Sequence, residues 1–131
     1  MTDRSARIIF IASLAVGLVL RLAFVPTAGF PTDVGTFMAW GDRLREVGPG
    51  QFYSPDYFSD YPPGFLYVLW LVASAFGGIP QVVAKALSIP FDLAIGVGLY
   101  AVLARVSRER TGAIAAALYL LNPALVLAGP Y

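Results

Sequence analysis

The sequence has no cysteine and no histidine, and only 13% of its 131 residues are charged. Without cysteine there is no disulfide and no thiolate ligand. Without histidine there is no imidazole base, so Ser/His/Asp triads, Cys/His pairs and the usual zinc sites are excluded together. Proton transfer in such a chain falls to a carboxylate, a lysine or a tyrosine. A soluble domain carries about 25% charged residues. Here the charge is well below that, 58% of residues are hydrophobic and the mean hydropathy is +0.72, which is the composition of a chain that lies in lipid. A net charge of +1 with the basic residues spread out leaves no electrostatic footprint for nucleic acid.

What the sequence does have is long apolar runs. They predict an all-α polytopic membrane protein with about four transmembrane helices, at about 8–26, 63–77, 81–104 and 112–131. Residues 1–7 form a polar head with Arg4 and Arg7, expected to stay in the cytoplasm at the start of a multi-pass chain. A cleaved signal peptide shares the basic start and the apolar core, but Arg21 interrupts that core. Arg21 itself has two readings, snorkelling to the headgroups or meeting a lipid phosphate at the membrane boundary.

The third run carries Gln81, Lys85, Ser88 and Asp92 at i, i+4, i+7 and i+11, one polar stripe on an apolar helix. Such a stripe faces protein or water. Read structurally, it is a seam satisfied by neighbouring helices; read as a pathway, it suits a transporter. Pro90 is expected to bend this helix. The fourth run is broken by Asn122 and Pro123 and lacks a polar flank, which predicts a truncated product or fragment. Simple alternation puts the 27–62 loop outside and the 105–110 loop outside too. The first is acidic and obeys the positive-inside rule, whereas the second is basic and does not. A half-span between residues 63 and 104 would remove the conflict and missing downstream helices could equally override it; simple alternation is the arrangement expected.

The 27–62 loop holds Asp33, Asp42, Glu46, Asp56 and Asp60. Its first part has helical spacing, with Val34, Phe37, Met38, Trp40, Leu44 and Val47 opposed to Asp42, Arg43, Arg45 and Glu46. This predicts an amphipathic interfacial helix with Trp40 at headgroup depth, capped by Thr32 or Asp33 and stopped at residues 48–50. An N-cap needs no further role for Asp33, and a turn needs none for Asp60. Tyr53, Tyr57 and Phe58 read as aromatic anchors, and Pro62 and Pro63 keep Tyr61 out of helical geometry.

An Asp after the first span, a Trp-bearing helix, a Gly-rich stop and Asp-Tyr-Pro-Pro-Gly opening the second span form the pattern TD…W…L…G…Y…DYPPG. It resembles the membrane-embedded glycosyltransferases of the GT-C superfamily, especially the bacterial polytopic enzymes and the eukaryotic glucosyl- and mannosyltransferases that use dolichyl-phosphate sugars. The Lys85 to Asp92 spacing and Asn122-Pro123 are also similar to that group. The resemblance covers nearly the whole chain and implies the N-terminal portion of a longer enzyme. It implies inverting transfer of a hexose or mannose-like sugar from a polyprenyl-phosphate carrier to a hydroxyl of a lipid, glycan or protein acceptor on the outer face. Asp33 matches the family's acidic loop residue, the base; Asp60 and Tyr61 match the motif at the second span's mouth and shape a substrate pocket. Arg21 and Lys85 are the further substrate-binding candidates, Arg21 for the leaving phosphate. No cofactor is required; one or two loop carboxylates suffice for weak binding of a divalent cation, without a ligand cluster. A transporter fragment and a small non-catalytic membrane protein are the competing classes.

Overall fold

In a computed structural model the chain is all-helical. The structure describes residues 2–27 and 30–128, and among the described residues the only extended pairing is an isolated bridge between Ser54 and Tyr57. The helices are α1 (Asp3–Phe24), α2 (Pro31–Val47), α3 (Pro63–Phe76), α4 (Gln81–Ala86), α5 (Ile89–Val106), α6 (Glu109–Leu120) and α7 (Pro123–Ala128), with a 3₁₀ turn at Pro49–Gln51. Among the described residues two stretches are, by length and composition, long and apolar enough to cross a membrane, α1 and Gln81–Val106. With 14 residues, α3 is about 21 Å long, well short of a hydrocarbon core of about 30 Å.

Local chemistry accounts for the boundaries. The Thr2 hydroxyl caps α1 by accepting from the Ser5 amide at 3.2 Å. Proline at the first position opens both α2 and α3, where a missing N–H costs nothing. Gly48 and Gly77, each at φ 74°, end them in a conformation that favours glycine. The third apolar run, Gln81–Val106, is one helical stretch whose hydrogen bonding is interrupted at residues 87–88, between α4 and α5, while Ser88 keeps right-handed helical angles. Pro90 has no N–H to give the Ala86 carbonyl, which accounts for the interruption where α4 gives way to α5.

The chain forms two compact units, one from Met1–Ala28 with Lys85–Tyr131, the other from Gly29–Ala84. Unit 1 is packed with small residues and clothed with large ones. Helix α1 buries Ala6, Ser13, Gly17 and Arg21 while Ile8, Ile11, Val16, Val19 and Leu22 are exposed. Helix α6 buries Gly112, Ala113, Ala116 and Leu120. The backbones come very close: a Cβ on Gly112 would sit 2.7 Å from the Tyr100 carbonyl oxygen, and one on Gly96 would sit 2.6 Å from Leu120 Cδ2. Close backbone approach over small residues is how helices associate when burial from water does not drive them together.

Side-chain pairs fix the helix directions in unit 1. Arg7 near the start of α1 meets Glu109 at the start of α6, with Nη2 to Oε1 at 2.7 Å and Nε to Oε2 at 3.1 Å. At the other end, Arg21 meets Asp92 in the first turn of α5 and the Leu120 carbonyl at the end of α6. Helices α1 and α6 are therefore parallel, with α5 running against both. Lys85 donates to the carbonyls of Phe24, at 3.2 Å, and Thr27. Residues 27 and 85, where the chain leaves and rejoins unit 1, thus lie together at the C-terminal end of α1.

Unit 2 has the opposite packing, with large apolar groups inside. Trp40, Leu44, Phe52, Leu66 and Leu69 are all at most 3% exposed, each contributing about 2 kcal/mol of burial in water. Trp40 was expected at headgroup depth; instead it is a core residue, edge-on to Phe52 and Tyr61, with its indole N–H donated to the Phe58 carbonyl at 3.2 Å. The reason is the reversal at residues 48–51, which folds the following loop back over the apolar face of α2. Arg43 seals that reversal, donating to the Phe52 carbonyl at 3.0 Å and lying 4.2 Å over the Tyr57 ring. Tyr57 thereby serves an internal contact, whereas Tyr53 and Phe58 remain exposed.

Candidate functional site

A pocket of about 150 Å³ in unit 2 is lined by Thr32, Asp33, Thr36, Phe37, Trp40, Phe58, Asp60 and Tyr61. Helix α2 supplies one wall through Asp33, Thr36, Phe37 and Trp40, which stand at i, i+3, i+4 and i+7 and so share a face. The extended stretch before α3 supplies the other. Asp33, Asp60 and Tyr61, three residues singled out in the sequence, come together here.

Asp33 does not cap its helix. The N-cap is Phe30, no side chain caps the end, and Asp33 lies within the first helical turn. There the carboxylate benefits from the positive end of the helix dipole and remains exposed toward the pocket. Asp60 is exposed as well, on the extended stretch that faces α2 across the pocket. The Tyr61 ring packs against Phe37 at 5.5 Å, Trp40 at 5.3 Å and Phe65 at 5.2 Å, and its carbonyl accepts from the Tyr53 hydroxyl at 2.7 Å. Two carboxylates between aromatic walls can accept hydrogen bonds from hydroxyls while the rings stack on an apolar ring face. Thr36 and Phe37 were not anticipated as lining residues; their i+3 and i+4 spacing from Asp33 on one helical face is a signal that would have found them.

Arg21 and Lys85 hold different positions. Both sequence readings of Arg21, snorkelling and lipid-phosphate contact, require an accessible guanidinium, but its side chain is 0% exposed. Its Nε donates to Asp92 at 3.1 Å, and Nη1 donates to the carbonyls of Gly17 at 3.1 Å and Leu120 at 2.8 Å. Of the guanidinium nitrogens, only Nη2 has no partner among the described residues. The Leu120 carbonyl is available because the helix breaks there: the Ala124 amide, its normal donor, turns to the Asn122 side chain at 2.9 Å. Asp92 also accepts from the Tyr119 hydroxyl at 3.3 Å. Lys85, 3% exposed, is spent on the carbonyls that end α1, a favourable place for a cation. The substrate-binding roles expected of both residues therefore conflict with their burial in the bundle.

Among the described residues, no three acidic groups gather as a metal site would require. Comparison of the chain with protein-family models, curated proteins and solved structures finds no match in any of the three.

Proposed function

We propose that the chain is the membrane-embedded part of a GT-C-like glycosyltransferase. In this reading it moves a hexose or mannose-like sugar from a polyprenyl-phosphate carrier to an acceptor hydroxyl on the outer face of the membrane, with inversion. The single observation that carries the reading is the pocket that gathers Asp33, Asp60 and Tyr61 between aromatic walls. Asp33 takes the proton from the acceptor hydroxyl as its oxygen bonds to the anomeric carbon; the bond from that carbon to the phosphate oxygen breaks, and the carrier phosphate leaves with the electron pair. Asp60 and Tyr61 orient the acceptor. The bacterial cytoplasmic membrane is the location this reading implies.

The membrane arrangement in this reading has three crossings, α1, α5 and α6 with α7. Its support is the placement of residues 27 and 85 at one end of α1, and of Arg7 and Glu109 at the other. In this reading residues 30–84 lie on the outer side, α3 does not cross, and the basic 105–110 loop joins the head in the cytoplasm, where the positive-inside rule wants it.

The test is sugar transfer in native membranes carrying Asp33→Asn, supplied with polyprenyl-phosphate mannose or glucose. Loss of transfer by about two orders of magnitude or more, with normal expression, is expected for a removed general base. Transfer at the wild-type rate would remove Asp33 from the mechanism.

A further inference from the structure

The end of unit 1 where α1 and α6 begin carries Arg4, Arg7, Arg105, Arg108 and Arg110, all exposed, against Asp3 and Glu109. Glu109 is taken by Arg7. Among the described residues the other four arginines have no ion-pair partner. Beneath this layer runs a groove of about 520 Å³ lined by Ile9, Ile114, Ala117, Leu118, Leu121 and the Asn122-Pro123 break. Its α6 wall is in register with the charge: Arg110, Ile114, Ala117 and Leu121 stand at i, i+4, i+7 and i+11, so one helical face bears a cation at its head and an apolar trough below. On α1, Ser5 stands one turn before Ile9 on the same face. The Arg7–Glu109 pair joins the two helices just above, so the groove is formed before anything enters it. From Ile114 to Pro123 it is about 13 Å long, close to the depth of one leaflet of a bilayer whose hydrocarbon core is about 30 Å.

We propose that this groove holds an acyl chain of an anionic phospholipid, with the lipid phosphate on Arg110 and the field of Arg108 beside it. Basic pockets between membrane helices on the cytoplasmic side are suited to such headgroups. The proposal rests on unit 1 lying in a bilayer and is independent of sugar transfer. A polyprenyl-phosphate sugar used on the outer face would have its phosphate at the opposite end of α1, so the phospholipid is the better occupant.

Because the chain has no cysteine, Ile8→Cys offers a single labelling site; Ile8 is 58% exposed and sits next to Ile9 without lining the groove, so a fluorophore there leaves both the packed core and the groove alone. The labelled protein is reconstituted in phosphatidylcholine vesicles containing, at equal mole fraction, chain-spin-labelled phosphatidylglycerol or chain-spin-labelled phosphatidylcholine. The expected result is preferential quenching by phosphatidylglycerol, falling about fivefold for each arginine removed in Arg110→Gln and Arg108→Gln/Arg110→Gln. A label introduced through Val19→Cys, outside the groove, should show no preference. Equal quenching by the two lipids at position 8, or a preference that survives the double substitution, would overturn the proposal. Displacement of phosphatidylglycerol by polyprenyl phosphate at lower concentration would also overturn it, by making the groove a carrier site. Absence of quenching by either lipid would sink the membrane placement of unit 1 and the proposal with it, whereas failure of sugar transfer alone would leave both standing.

Discussion

Arg21 Nη1 donates to the main-chain carbonyl of Leu120 across 2.8 Å, joining residues 99 positions apart. The same guanidinium holds Asp92 at 3.1 Å. One buried cation thus ties the start of α5 and the broken end of α6 to α1. Removing a single partner strands the other, so Arg21→Met is expected to destabilise unit 1 by about 3 kcal/mol or more. The double variant Arg21→Met/Asp92→Leu should recover much of that loss. A double-mutant cycle on unfolding in detergent measures the coupling; additive effects of the two substitutions would show that the pair is not coupled.

Gly112 tests the backbone contact between α5 and α6. Its added Cβ would meet the Tyr100 carbonyl oxygen at 2.7 Å and the Ala104 amide nitrogen at 3.1 Å, neither of which can swing aside as a side-chain tip would. Gly112→Ala is expected to cost about 1–3 kcal/mol. Gly98→Ala meets nothing within 4 Å and should change stability by less than about 0.5 kcal/mol. Equal thermal stability of the two variants would contradict this packing.

Asp60 and Tyr61 are assigned to orientation rather than proton transfer, and kinetics separates the two. Asp60→Asn and Tyr61→Leu should raise the acceptor KM about tenfold and lower kcat less, whereas Asp33→Asn should act mainly on kcat. A kcat loss in Asp60→Asn as large as that in Asp33→Asn would exchange the roles of the two carboxylates.

The three-crossing arrangement is read most directly by side-specific labelling of single cysteines placed one at a time at Arg4, Asp56, Ser74 and Arg108, all exposed positions. An impermeant maleimide applied from outside should modify positions 56 and 74 and spare 4 and 108. Labelling of 108 together with 56 would restore the alternating four-span path.

The Arg7–Glu109 pair predicts a pH dependence with a definite sign. Its hydrogen bond to Arg7 holds the Glu109 carboxyl below its ordinary value, and Arg7 is raised in turn, chiefly by its hydrogen bond to Glu109. The stabilisation from Glu109 is therefore complete above its unfolded pKa of about 4.3 and is lost as pH falls through the lower folded value. The loss associated with Arg7 comes only as pH rises through its raised value, beyond the usual working range. Arg7 is exposed and Glu109 partly so, so the effect is small and weakened by salt. Melting curves below pH 5 should fall more steeply for the wild type than for Glu109→Gln; parallel curves would show that the pair does not contribute.

Helix ends were legible where a residue dictated them. Pro31, Gly48, Pro63 and Gly77 mark α2 and α3 because each has a conformational constraint that a helix boundary satisfies. The interruption at residues 87–88 was harder to place, since a proline inside an apolar run is compatible with a bend or a break, and the helical angles of Ser88 are a property of the folded chain rather than of its composition. That Lys85 and Asp92 would each be satisfied by a neighbouring helix was readable from the cost of leaving them in lipid; which neighbour was not. Trp40 was misjudged because an amphipathic face states only that it is covered, and here its cover is the returning loop rather than lipid. Asp33 and Asp60 were each visible as loop acids. Their meeting depends on the chain reversal at 48–51, which the glycines permit but do not aim.

The distances along the chain between Arg21 and its partners also set an order of assembly. Asp92 and Leu120 lie 71 and 99 residues further on, and synthesis runs from the N-terminus. In a bilayer, α1 must wait with an unneutralised guanidinium while the intervening residues are made, and such a charge is costly in hydrocarbon. The newborn helix is thus free to slide outward until Asp92 arrives, and only then acquires a fixed depth. Stalled chains released before residue 92 should accordingly show α1 at variable depth by accessibility scanning, and those released after residue 120 should show a single register.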